Sequence, residues 1–172
     1  MLYSIAVDVS PPGRVVRLHL KIGHKRPMRN VAEAVAVPGK GLMGDVSFGR
    51  SRRQLLLVDQ ADLDRYDLRP GDVRENITLT GLPLSGMPRG TRLQIGSVVV
   101  EITGECTPCE MLDGLRPGLR EEIRGRRGML GRVVEGGTLR EGDLAATFQL
   151  AAPRAPSSAT PAPPRAGGPE VP

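Results

Sequence analysis

Val15-Val16-Arg17-Leu18-His19-Leu20-Lys21-Ile22 decides the fold class. Val16, Leu18, Leu20 and Ile22 alternate with Arg17, His19 and Lys21, the period-two signature of a strand with one apolar and one polar face. On this reading His19 is a surface residue. Val31 to Val37 alternates again, with Val31, Glu33, Val35 and Val37 set against three alanines. Shorter apolar or β-branched runs follow at Leu55–Val58, Ile77–Leu79, Leu93–Ile95, Val98–Thr103, Gly131–Val134 and Ala145–Leu150. Gly and Pro clusters punctuate them as in all-β sandwiches and barrels. Gly96-Ser97 has the form of a two-residue hairpin turn, and Gly136-Gly137 is read as a second. Asp59 can cap a helical turn through Tyr66, and Pro117 to Arg124 spaces Leu119 and Ile123 one turn apart. The expected architecture is mainly β, a mostly antiparallel barrel with one or two short helices.

The surroundings of these runs divide the chain. Of its 172 residues, about 1–150 carry the strand pattern and form one domain. From Ala151 to Pro172 seven of the 16 prolines fall in 22 residues without apolar periodicity, which predicts a disordered Pro/Ala-rich tail. The net charge is +5, with 24 Lys+Arg against 19 Asp+Glu, yet basic and acidic residues are interspersed. Two Phe, two Tyr and no Trp leave few stacking platforms, so the expectation is no nucleic-acid partner. No apolar run approaches the ~20 residues of a membrane-spanning helix, and no membrane association is expected. Met1 to Asp8 lacks the basic and apolar regions of a signal peptide, so the expected location is cytoplasmic.

Cys106 and Cys109 are the two cysteines. One Cys-x-x-Cys pair without a second pair or histidine ligands is not a structural zinc site, and a cytoplasmic disulfide is not expected. Spacing alone leaves their chemistry open. Pro108 lacks an N–H and holds Thr107 extended, which makes a rigid mount for Cys109. A thiolate there suits a thiophilic metal and can also carry sulfur as a persulfide.

Several segments, in order, resemble the MOSC domain, named for the C-terminal part of molybdenum cofactor sulfurases. They are Gly41-Leu42-Met43-Gly44-Asp45, Arg53 to Leu57, Arg74-Glu75-Asn76-Ile77-Thr78-Leu79-Thr80-Gly81, Gly90 to Gly96, Thr107-Pro108-Cys109 and Gly128 to Asp143. The ordered series runs from about Lys21 to Phe148 and covers nearly the whole domain. The resemblance implies a β-barrel of the small bacterial stand-alone type, with a site built around one cysteine. It implies molybdenum cofactor (molybdopterin) as ligand, with Cys109 as metal ligand and catalytic residue. Arg74, Asn76 and Thr107 join Cys109 as cofactor-binding candidates: Arg offers a planar fork to phosphate, Asn both donors and an acceptor, and Thr a hydroxyl. Strand alternation would put Arg74 and Asn76 on one face. Lys25, Lys40, Arg53, Arg127 and His24 are weaker candidates, and Cys106 is read mainly as a core residue.

Three functions follow. The first is a molybdenum-dependent oxidoreductase that reduces small N-hydroxylated substrates, with electrons from a donor protein because no flavin, haem or iron–sulfur motif is present. The second is a sulfur carrier, loaded as a persulfide on Cys109 by a cysteine desulfurase; pyridoxal phosphate would belong to that partner only. The third is a non-catalytic module for small anions. One departure is visible: Val46 and Ser47 stand where many relatives carry Arg or His after the Gly-Asp pair, with Arg50, Arg52 and Arg53 close behind.

Overall fold

The computed structural model describes Ala6–Val7 and residues 11–149, so the expected tail lies outside the described residues. In chain order the elements are β1 (Ala6–Val7), β2 (Gly13–Leu20), β3 (Arg29–Val31), β4 (Glu33–Val37), β5 (Gly41–Leu42), β6 (Leu55–Asp59), α1 (Gln60–Arg65), β7 (Ile77–Thr80), β8 (Arg92–Ile95), β9 (Val98–Glu105), α2 (Met111–Leu115), α3 (Leu119–Glu122), β10 (Met129–Glu135), β11 (Gly137–Arg140) and β12 (Leu144–Gln149). Seven strands close a barrel in the order β12-β8-β9-β10-β6-β7-β2, with β2 returning to β12 through Leu144↔Arg14 and Ala145↔Gly13. β1 pairs with β12 and β3 with β2, while β11-β4-β5 form a separate three-stranded sheet. Every described pairing is antiparallel except β6–β7, which requires a crossover, and α1 lies in that connection.

Period two builds two apolar layers from one barrel wall. On β6, Leu55 and Leu57 join the barrel interior with Leu18, Ile77, Leu79, Leu93, Ile95, Val100 and Ile102. Leu56 and Val58 point outward and pack with Leu63 of α1, Val73, Cys106, Leu112 of α2, and Leu119 and Ile123 of α3 and its end. The helices therefore cover one outer flank of the barrel. Asp59 caps α1 as expected, its carboxylate accepting from the Ala61 N–H at 3.0 Å. Beyond the two expected helices there is a third, α2, whose five residues are too few to show a period.

The strand readings hold with three local corrections. β2 has a register shift against β7 between Val15 and Arg17, which inserts an extra residue and resets the alternation. Val15 and Leu18 face the interior, and His19 is buried rather than on the surface. The run from Val31 to Val37 breaks into β3 and β4, which belong to different sheets; within β4 the buried residues are Ala34 and Ala36, while Val35 is exposed. The Gly96-Ser97 hairpin is formed between β8 and β9, but Gly136-Gly137 makes no hairpin, since β11 leaves β10 to pair with β4. Glycine is needed at Gly136 for close approach, because a Cβ there would meet the Ala36 carbonyl oxygen at 2.7 Å.

Candidate functional site

A cleft of about 1540 Å³ lies outside the barrel. It opens between the end of β2, the loops 23–28, 46–53 and 69–74, and the start of α2. Eight of its lining residues are Lys or Arg (Lys21, Lys25, Arg26, Arg50, Arg53, Arg69, Arg74, Arg127) against two carboxylates, Asp72 and Glu110. Leu55, Leu56, Met111, Leu115 and Leu130 give the same cleft an apolar side. Such a space selects an anionic molecule with an apolar body.

Both cysteines line this cleft, Cys109 with an exposed side chain and Cys106 buried at its base in the outer apolar layer. The segment between them is fixed at both ends. The Cys106 N–H donates to the Gly128 carbonyl at 3.0 Å, and the Cys109 carbonyl accepts from the Leu112 N–H at 3.0 Å, opening α2. Arg127 closes the segment from the side: its Nη1 donates to the Thr107 carbonyl at 2.7 Å and to the Cys109 sulfur at 3.4 Å. The guanidinium is only 6% exposed, and its Nε has no hydrogen-bond partner among the described residues. Gly128 delivers it. With φ at +111° and β6 pressed against it, Gly128 leaves no room for a Cβ beside the Leu57 carbonyl oxygen.

Arg74 also lines the cleft, but from a turn residue with φ at +64° and not from a strand. Its Nη1 donates to the Arg26 carbonyl at 2.7 Å and its Nη2 to the Gly23 carbonyl at 3.1 Å, so it holds the 23–26 loop over the cleft. Asn76 is fully buried and outside the lining. Its Nδ2 donates to the His19 carbonyl at 3.1 Å and to Asp45 Oδ2 at 2.8 Å, while its Oδ1 accepts from the Leu56 N–H at 3.1 Å. Arg74 and Asn76 therefore do not share a strand face. Thr107 is exposed and outside the lining; it contributes its carbonyl to the Arg127 clamp.

Asp45, named in the sequence only as the end of the Gly41–Asp45 segment, is the anchor of the cleft wall. It is buried, and its carboxylate accepts from the Lys21 and Ser47 N–H groups, each at 2.7 Å, besides Asn76. Of the weaker candidates, Lys25, His24, Arg53 and Arg127 line the cleft, while Lys40 sits 5.9 Å from the Phe48 ring centre and does not. Val46 is exposed and lines the cleft together with Arg50 and Arg53. Lys21 and His19 line the cleft as well and were not singled out. Burial holds the Lys21 ammonium below the usual lysine range; Asp45 opposes the shift and Arg74 adds to it. Burial likewise lowers His19, against Glu141.

Behind this wall Glu75 is fully buried. Its Oε1 accepts from the Gly71 N–H at 2.5 Å and the Thr78 hydroxyl at 3.0 Å, and its Oε2 is unpaired among the described residues. Desolvation pushes its carboxyl above the usual range, against the pull of the Gly71 N–H.

A family model described as "MOSC domain" matches residues 43–146, more than half of the chain. A search of curated proteins found no match. Among solved structures, the YuaD protein from Bacillus subtilis superposes with a TM-score of 0.71 at 18% identity, covering 80% of this chain and 96% of that one. YiiM from Geobacillus stearothermophilus gives 0.63 at 17% identity, covering 80% and 76%. YiiM from Escherichia coli gives 0.62 at 17% identity, covering 78% and 69%. These structural likenesses concern the fold.

Proposed function

The chain belongs to the MOSC domain family, and from that premise we propose that it binds molybdenum cofactor in the basic cleft, with Cys109 as the protein ligand of the metal, and reduces small N-hydroxylated compounds. The observation that carries this reading is the pairing of an exposed soft sulfur with a buried guanidinium whose Nε is unpaired among the described residues. The donor set fits the group. Among the described residues no cluster of three or more His, Cys, Asp or Glu side chains can hold a metal ion, so a metal here must arrive with its own ligands, as it does on a dithiolene pterin. The cationic lining would hold its phosphate, and the apolar side its ring system.

When bound, the group supplies two-electron redox chemistry at a metal. The residues of this chain do the rest. Arg127 fixes the Cys109 sulfur in direction by holding both it and the Thr107 carbonyl. Arg74 ties the 23–26 loop to the cleft wall. Reduction of a hydroxylamine to an amine consumes two electrons and two protons and releases water, so an electron-donor protein is required. No helix among the described residues is long and apolar enough to cross a membrane.

Protein made in a host that synthesises the cofactor tests the reading. Wild type should copurify with molybdenum and pterin, and Cys109→Ser should lose the metal. Wild type free of both in such a host overturns it. A second reading is favoured by one observation: Cys109 is the exposed thiol of the two, open to a protein surface, while Cys106 is buried. As a sulfur carrier, Cys109 would take the terminal sulfur from a desulfurase persulfide and leave the desulfurase thiol behind. Alkylation and mass mapping after incubation with a cysteine desulfurase and cysteine separate the two readings by a persulfide at Cys109 or its absence.

A further inference from the structure

We propose that Lys21 is a carbonyl-reactive amine, and that the cleft takes phosphorylated aldehydes as imine-forming ligands at this residue. The proposal stands apart from molybdenum and from Cys109.

Lys21 follows the last residue of β2, and its backbone is pinned on both sides. Its N–H donates to Asp45 Oδ2 at 2.7 Å, and its carbonyl accepts from the Val46 N–H at 2.9 Å. The side chain is therefore launched from a rigid base into the cleft, where it is partly buried. Among the described residues its ammonium has no ion pair and no hydrogen bond, unusual for a half-buried lysine. The charged and titratable groups acting on it come from four neighbouring segments: Asp45 from the loop after β5, Arg74 from the turn before β7, Cys106 from the segment after β9, and Arg127 from the segment before β10. Burial, the largest influence, and the two cations favour the free amine, against Asp45 and Cys106. Lysines made nucleophilic by desolvation and an adjacent cation are those that condense with carbonyl groups.

The cleft also says which carbonyl compounds reach it. Lys25, Arg26, Arg50 and Arg53 line the same space and form no ion pair among the described residues. Arg127 adds a buried Nε without a partner. An aldehyde carrying a phosphate would place its anion on these groups and its carbonyl near Lys21. The step is balanced without a co-reactant. The ammonium releases a proton to solvent, the amine nitrogen bonds to the carbonyl carbon, and the carbinolamine loses water to leave the imine.

The chain suits a direct test, because only Lys21, Lys25 and Lys40 among its 24 basic residues are lysines. Wild-type protein is incubated near neutral pH with glyceraldehyde 3-phosphate, reduced with borohydride and mapped by peptide mass. The expected result is a secondary amine at Lys21 in severalfold excess over Lys25, Lys40 and the amino terminus. The excess should shrink with uncharged glyceraldehyde and when inorganic phosphate competes. Even labelling of the amines, or the same preference with glyceraldehyde, overturns the proposal. Lys21→Arg, which keeps the charge, should lose the label without loss of thermal stability. No molybdenum or reductant of the cofactor enters the assay, so its failure and the failure of the cofactor reading are separate events.

Discussion

Arg127 holds Cys109 across 18 positions of sequence, with its Nη1 3.4 Å from the sulfur. The same nitrogen reaches the Thr107 carbonyl at 2.7 Å, so one buried cation sets both the course of the loop and the aim of its side chain. Arg127→Gln removes a hydrogen bond from a charged donor, worth about 1–3 kcal/mol of stability. Urea unfolding should show a loss in that range. In a cofactor-producing host the variant should retain less molybdenum per protein than wild type; full retention would show that the clamp is dispensable for binding.

The two cysteines should respond oppositely. Cys109 is exposed, so Cys109→Ser should leave the unfolding midpoint within error. Cys106 is 2% exposed among Leu56, Val58, Leu63 and Leu112, and Cys106→Ser buries a hydroxyl there. That change should cost about 1–3 kcal/mol. Thiol titration of the native protein should accordingly find Cys109 promptly and Cys106 only after unfolding.

Asn76 joins three strands of chain. Asn76→Ala would leave the Leu56 N–H, the His19 carbonyl and one Asp45 oxygen short of a buried partner. Asp45 Oδ2 keeps the Lys21 N–H, but the other two groups cost about 1–3 kcal/mol each when unsatisfied, so the variant should lose about 2 kcal/mol or more by chemical denaturation or fail to accumulate folded. A loss below 1 kcal/mol, taken as a rough bound, would deny Asn76 its bracing role.

Glu75 and His19 should tilt stability in opposite directions with pH. The Glu75 carboxyl titrates above its ordinary 4.5 in the folded protein, so its contribution is full below that value and is lost as pH rises through the folded value. His19 titrates below its ordinary 6.5, so its contribution is full above that value and is lost as pH falls through the folded value. In Glu75→Gln the loss of stability on raising pH from about 4.5 should be reduced, and in His19→Gln the loss on lowering it from about 6.5 should be reduced. Denaturation midpoints over that range, compared with wild type, check both signs. Unchanged slopes in both variants would contradict the burial of these groups.

The barrel was legible where side chains alternate without interruption. Val98 to Thr103 and Leu93 to Ile95 gave β9 and β8, and Gly96-Ser97 gave their turn, because local backbone preference and packing agree there. Legibility failed where a local pattern is overruled by something distant. The loop carrying Gly71 lies against His19 on the outer face of β2 and buries it, and no feature of Val15 to Ile22 marks that cover. The family resemblance singled out Cys109, and the structure places it exposed on the cleft; Arg127 was named there only as a weak anchor, and its contact with the Cys109 sulfur depends on Gly128 turning the chain beneath β6. Asp45 stood out only as part of the Gly41–Asp45 segment; its bracing role depends on Lys21 and Asn76 converging from distant segments and on Ser47 from its own loop.

The outer apolar layer is small and rests on α1, α2 and α3, none longer than six residues, whereas the interior layer is sealed by a closed ring of strands. Helices this short draw nearly all their stability from packing. Amide protons of the helical flank should therefore exchange through local openings long before those of β8 and β9, which wait for global unfolding. The wall that carries Cys109 and its loop can thus loosen and re-form while the barrel stays shut, and a molecule seated in the cleft would be felt first as slowed exchange on that flank.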